Sequence, residues 1–376
     1  MRVMERRLLV VALASLAFTA RAGDVIDIGP VLEPIRAKHE QPAMAAAVVR
    51  GGETIARGAV GLRRRNTESA PVQIDDRFHI GSCTKAFTST LVAMFIEEGK
   101  LDWSTTIVDI LPELKGVVHP AYEAVTLEML LTHRAGVMAF TRNGPTESQV
   151  AGRLEGTPAE QRRAFIERLL KQPPLHEVGT KYEYSNAGYT IVAAMLERLT
   201  GQSWEDLIRE RIFKPLDMNR SGFGLPGSRE RQETPDQPWG HFAMSNGLAP
   251  IAPDPRVNLP PVLQPGGDIH ATIEDFARFV ALHLKGLRGE DTKLLKAATI
   301  KRLHQPALND YAMGWFSSGQ FGTPGTAHNG SAGMFFAWMW VFPEDDLAIV
   351  VCSNAGTGEQ AGLEAVKKLR EHVLKD

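Results

Sequence analysis

Cysteine is scarce, with only Cys83 and Cys352 among 376 residues. A disulfide framework is excluded, and without paired Cys/His spacing so is a zinc module. A single bridge between the two thiols stays open at this level. H-E-x-x-H does not occur and the 11 histidines are scattered, so no metal site is expected. An excess of either charge is also missing. Lys and Arg number 42 against 44 Asp and Glu, a formal net charge of −2 that argues against nucleic acid as a partner. The chain has no internal repeat and no low-complexity tract. Its one marked apolar run, 8–18, is too short to span a bilayer. Arg2, Arg6 and Arg7 precede that run, and Ala20-Arg21-Ala22 follows it. Residues 1–22 therefore read as a secretory signal cleaved after Ala22. The expectation is an exported protein, periplasmic or secreted, with no stable membrane span.

What remains is ordinary for a globular chain: 43% hydrophobic and 23% charged residues, long enough for two domains or one large one. The stretch that organises it is Arg77-Phe78-His79-Ile80-Gly81-Ser82-Cys83-Thr84-Lys85. Gly81 marks a turn, Ser82 a helix start, and Phe87, Leu91, Val92, Phe95 and Ile96 recur at helical spacing up to Gly99. Ser82 and Lys85, three apart, share one face of the first turn. A hydroxyl becomes a nucleophile when a base takes its proton, and a lysine whose pKa falls through burial is such a base. The Ser82 N–H at a helix start is available to an oxyanion. Cys83, at the same helix start, reads as a small packed side chain, although that position can lower a thiol pKa. S-x-x-K alone means little, since about one arises by chance in a chain of this length.

Before this stretch, 24–38 reads as a helix, 43–50 as a buried strand, and Gly51-Gly52 as a hairpin turn into a strand ending near Leu62. After it the texture is mainly helical to about Gly286. A helix ends near Gly136, an amphipathic helix covers 158–171, and another runs through Ile191 and Leu199 to Gly201. Residues 222–267 carry many Gly and Pro with little periodicity, and read as a long loop walling a substrate site. Thr272 to Asp275 has the spacing of a capping box. Strands are expected at 311–316, 325–330, 334–342 and 347–353, and a closing helix at 362–374. The fold class is therefore α+β. An antiparallel sheet built from 23–81 and 287–376, flanked by terminal helices, carries a mainly helical inserted domain, 82–286.

Two further motifs complete the pattern. Tyr184-Ser185-Asn186 lies in a loop before a helix and is the only Y-x-N in the chain. Its phenol offers a second acid/base group and Asn186 an amide to hold Lys85 or a carbonyl. His328-Asn329-Gly330-Ser331 lies on an expected strand; Gly330 permits close backbone approach, and Ser331 offers a second oxyanion N–H. S-x-x-K, Y-x-N and a strand with a basic residue, x and Gly, in that order, resemble the penicillin-recognising serine hydrolases. The branch they resemble holds class C β-lactamases, D-alanyl-D-alanine carboxypeptidases and their esterase and D-aminopeptidase cousins. Phe78-His79-Ile80-Gly81-Ser82, Glu98-Gly99-Lys100-Leu101-Asp102, Leu130-Leu131-Thr132-His133, Pro265-Gly266-Gly267 and Tyr311-Ala312-Met313-Gly314-Trp315 extend the likeness.

The resemblance implies a β-lactamase/transpeptidase-like fold and an acyl-enzyme on Ser82. Lys85 and Tyr184 would serve as the base pair, the N–H groups of Ser82 and Ser331 as the oxyanion hole, and Asn186 as an orienting amide. No cofactor is implied; the partner is a small-molecule or peptide substrate, and the oligomeric state is left open. One departure bears on the substrate. The third motif of most β-lactamases begins with lysine, whereas here it begins with His328, mostly neutral at pH 7. Esters or D-amino-acid peptides and amides are therefore expected ahead of β-lactams. The alternatives are a true class C-like β-lactamase and a non-catalytic peptidoglycan-binding or interaction protein. A nucleophile elbow at 329–333 is disfavoured, because 334–338 reads as strand where that elbow needs a helix.

Overall fold

The computed structural model describes residues 25–375, apart from 66–69, 142–147, 150–151, 229 and 231–233. The expected signal segment lies outside the described residues. Both ends of the chain build one sheet. The first part supplies β1 (Ile26–Asp27), α1 (Gly29–Lys38), β2 (Ala43–Arg50) and β3 (Glu53–Gly61). The last part supplies β9 (Phe316–Ser318), β10 (Gly325–Ser331), β11 (Phe336–Phe342), β12 (Leu347–Ser353) and the helix Glu359–Val373. The order across the sheet is β1-β3-β2-β12-β11-β10-β9.

Its centre is buried on both faces, so β2 reads as a continuous apolar run rather than an alternating one. Alternation decides which side each residue serves. Ala45, Ala47, Val49, Met339, Val341 and Val350 face the helix Ile273–Leu287 and the main core. Met44, Ala46, Val48, Trp340 and Ile349 face α1 and the closing helix. Between the sheet-forming parts lie β4 (Arg77–His79), β5 (Gly222–Phe223), β6 (Gly240–Met244), β7 (Gly247–Ile251) and β8 (Ile269–Thr272), with β8 between β4 and β5. Among the described residues no helix is long and apolar enough to cross a membrane.

Several sequence expectations need correction. The sheet is not wholly antiparallel, because β1 runs parallel to β3. The 24–38 helix begins only at Gly29, after β1. The helix expected to end near Gly136 stops at Leu131. The 311–316 strand is a turn: Gly314 has φ +85°, the Ala312 N–H donates to the Trp315 carbonyl, and only 316–318 joins the sheet. β11 begins at Phe336 rather than at 334. The 222–267 segment is not all loop, since β6 and β7 form a hairpin within it. Thr272 does cap its helix, accepting from the Asp275 N–H at 3.1 Å. The two cysteines are free and buried, and burial holds the Cys83 thiol well above its ordinary range.

Six buried histidines sit where burial holds them neutral. His241 and His270 are lowered to about 4, His283 and His328 to about 3, and His133 and His304 well below the usual value. Below pH 6.5 the unfolded chain binds protons that the folded chain refuses, so stability falls as pH drops. Each histidine contributes about 1.4 kcal/mol per unit until its folded value is reached. Burial raises Asp76 and Asp275, which oppose this trend in the carboxylate range. The urea midpoint is expected to drop sharply between pH 7 and pH 5. An unchanged midpoint would mean these rings are solvated.

Candidate active site

Ser82 is not a helix cap. It lies in the 3₁₀ turn Gly81–Cys83, which leads into α2 (Thr84–Glu97), and no side chain caps that turn. Gly81 holds φ +52°, and a Cβ there would lie 2.4 Å from the Ser331 backbone nitrogen. A Cβ on Gly330 would lie 1.9 Å from the Ile80 carbonyl and 2.7 Å from the Ser82 nitrogen. The Ser82 turn and β10 therefore meet backbone to backbone, which only glycine permits on both sides. Gly330→Ala is expected to lower labelling of Ser82 by a fluorophosphonate by at least about 10²-fold, since the strand must withdraw by an ångström or more. Wild-type labelling in that variant would mean the contact does not matter to Ser82.

Lys85 follows one turn on and is fully buried. Its Nζ lies 3.3 Å from Ser82 Oγ, 2.6 Å from Asn186 Oδ1 and 2.7 Å from the Gly266 carbonyl. Burial holds this amine well below the usual lysine range. A neutral amine has two hydrogens and one lone pair. The two shorter contacts go to atoms that only accept, so when the amine is uncharged they take its hydrogens and its lone pair is left for Ser82.

Asn186 opens the helix Asn186–Thr200, whose N-cap Ser185 accepts from the Gly188 N–H at 3.0 Å. The Asn186 amide is spent on Lys85 at one end and donates to the Phe140 carbonyl at the other, at 2.9 Å. Tyr184 precedes the cap. Its ring centroid is 4.6 Å from Lys85 Nζ, and Ser82 interacts with its hydroxyl. Burial pushes the phenol up, beyond the usual tyrosine range.

His328, 1% exposed, is 3.2 Å from the Tyr311 hydroxyl through Nε2. Burial first, then Lys85, lowers it to about 3, so it is neutral rather than cationic. Cys83 Sγ contacts the His328 carbonyl at 3.5 Å, tying the turn to β10 again.

Two cavities meet at Ser82, sharing Thr141, Asn186 and Ser331. One, of about 500 Å³, includes Phe140, Arg256, Leu259 and Leu263. The other, of about 280 Å³, includes Tyr184, Phe316, His328 and Phe336. All seven residues singled out from sequence thus gather in one place, and part of the 222–267 segment does line a cavity wall. Sequence reasoning missed Phe140, Thr141, Phe316 and Phe336. It also missed Tyr182, Tyr189 and Tyr311, which surround His133 with Tyr184. Gly266, His133 and Tyr311 lie in stretches that carry the family resemblance, but nothing in those stretches indicates which atom meets Lys85 or His328. Arg134, the residue after His133, pairs with Glu128 at 2.9 Å.

A family model described as Beta-lactamase matches residues 30–373. Penicillin-binding protein 4 of Amycolatopsis lactamdurans is 29% identical over 86% of this chain and 84% of that protein. Unguisins hydrolase ungD' of Aspergillus campestris is 26% identical over 89% of this chain and 63% of its own length. Among solved structures, a D-amino acid amidase of Ochrobactrum anthropi SV3 superposes with TM-score 0.70 and 22% identity, covering 91% of this chain and 98% of that one. A class C beta-lactamase mutant superposes with TM-score 0.71 and 18% identity, covering 92% and 96%. These structural likenesses concern the fold.

Proposed function

The chain belongs to the Beta-lactamase family of serine hydrolases, and from that premise we propose that Ser82 forms an acyl-enzyme with esters or with D-amino-acid peptides and amides. β-Lactams are poor substrates in this reading, and the protein acts after export and loss of residues 1–22. The observation that carries it is the Lys85 amine, buried, 3.3 Å from the Ser82 hydroxyl and tied to two carbonyl oxygens.

Burial disfavours charge on both neighbours of Ser82, which divides their roles. Neutral Lys85 accepts the Ser82 proton as Oγ bonds to the substrate carbonyl carbon. The oxyanion forms against the N–H groups of Ser82 and Ser331. Neutral Tyr184 gives its proton to the leaving group as the carbonyl–leaving-group bond breaks, and recovers one from Lys85. Water then attacks the acyl carbon by the same route in reverse, freeing Ser82. Asn186 holds Lys85, and Gly330 keeps β10 against the turn. Neutral His328 offers no fixed positive charge to a β-lactam carboxylate, and Arg256 on the far wall is engaged by Asp254 at 2.6 Å. The likeness to a D-amino acid amidase supports amide substrates, and the likeness to an unguisins hydrolase supports hydrolysis.

The test is a panel of p-nitrophenyl esters, D-amino-acid p-nitroanilides and nitrocefin on wild type and Ser82→Ala, with fluorophosphonate labelling. Label on Ser82 and ester or anilide turnover that vanishes in Ser82→Ala support the reading. No label in either protein would leave a binding protein on a hydrolase fold, and fast nitrocefin cleavage a β-lactamase. Tyr184→Phe should slow anilides, whose amine must be protonated to leave, by about 10²-fold or more. It should slow p-nitrophenyl esters much less, and equal losses would remove Tyr184 from the acid role.

A further inference from the structure

Asp268 is a carboxylate with no exposure to solvent, and none of the roles above uses it. It lies between the turn Gln264–Gly266, from which Gly267 separates it, and β8. Its two oxygens serve different neighbours. Oδ1 lies 3.3 Å from His79 Nε2, and Oδ2 accepts from the Gln264 side-chain amide at 2.8 Å. His79, 1% exposed, accepts through Nδ1 from the Gly81 N–H at 3.1 Å. A ring nitrogen that accepts carries no proton, so the imidazole hydrogen sits on Nε2 and points at Asp268. One line of contacts therefore joins Gly81, His79, Asp268 and Gln264. At one end is the residue that sets the direction of Ser82. At the other is the turn whose Gly266 carbonyl accepts from Lys85.

A buried carboxylate is costly to desolvate, and an apolar pair would fill the gap between β4 and β8 without that cost. A directional contact is what the polar pair adds. We propose that His79 and Asp268 are positioning residues, which lock the nucleophile turn and the base-holding turn to each other and so hold Ser82 and Lys85 at reacting distance. The inference rests on the Ser82–Lys85 reading given above.

The readouts are the rate of Ser82 labelling by a fluorophosphonate, and kcat and KM on a p-nitrophenyl ester, per mole of folded protein. His79→Leu removes both contacts. His79→Asn keeps an acceptor near the Nδ1 position for the Gly81 N–H and gives up Asp268. The expected result is a loss of about 10- to 100-fold in labelling rate and kcat for His79→Leu. KM should stay within about twofold because the cavity walls are untouched, and His79→Asn should recover part of the loss. A pair that only supports the fold would lower the unfolding temperature and leave the rate per folded molecule at the wild-type value, which overturns the proposal. Should His79→Leu not fold, His79→Asn and Gln264→Ala carry the test, and wild-type rates in both overturn it equally. Label absent from wild type would instead defeat the Ser82 reading itself.

Discussion

Lys85→Met should slow fluorophosphonate labelling of Ser82 by about 10²- to 10⁴-fold, the range that a positioned general base supplies. The change in stability should be small by comparison. Removing the amine relieves its desolvation, and against that the Gly266 carbonyl and the Asn186 amide lose their donor. The pH profile separates a base from a structural lysine. The wild-type labelling rate should rise with pH as Lys85 deprotonates and level off below the ordinary lysine range, because burial lowers this amine. That step should vanish in Lys85→Met. Near-wild-type labelling in the variant, or an unaltered pH profile, would remove Lys85 from the base role.

The largest expected loss of stability belongs to Arg162, far from Ser82 in sequence and behind the cavity wall. Its guanidinium is fully buried, with Nε 3.1 Å from Glu197 and Nη1 3.0 Å from Glu205. Nη1 also donates to the Pro261 carbonyl at 2.9 Å, and Thr190 donates to the neighbouring Val262 carbonyl. Arg162→Met leaves two carboxylates facing each other without a counter-charge. The expected cost is about 3–5 kcal/mol, since breaking a buried ion group strands its partners. For a chain of this size that lowers the melting temperature by about 4–7 °C. The ester KM should rise as well, because 260–263 loses its anchor. Replacing Glu197 and Glu205 with apolar residues in the same variant should restore much of the melting temperature. A variant that melts with wild type would show that the triad contributes nothing net.

Much of the site was legible because its parts are local. Ser82 and Lys85 need only the i, i+3 geometry of one turn. Tyr184 and Asn186 flank a capping serine that marks the helix start. Apolar runs with turn residues between them marked β2, β3 and β12. The misses share a different property. His79 and Asp268 stand 189 positions apart and meet only because β4 pairs with β8. The Gly266 carbonyl reaches Lys85 across 181 positions. Neither pairing leaves a trace in periodicity, because each is set by how separate elements dock.

From the residues alone came the fold class, the pairing of Ser82 with a neighbouring amine, and the family resemblance. All of these depend on short segments whose geometry is set within a turn or a strand. The tertiary structure alone decided which way each site group's pKa moves. Burial lowers the Lys85 amine, holds the His328 ring neutral and pushes the Tyr184 phenol up. Dielectric surroundings are a property of the whole packed core, and no short segment carries them.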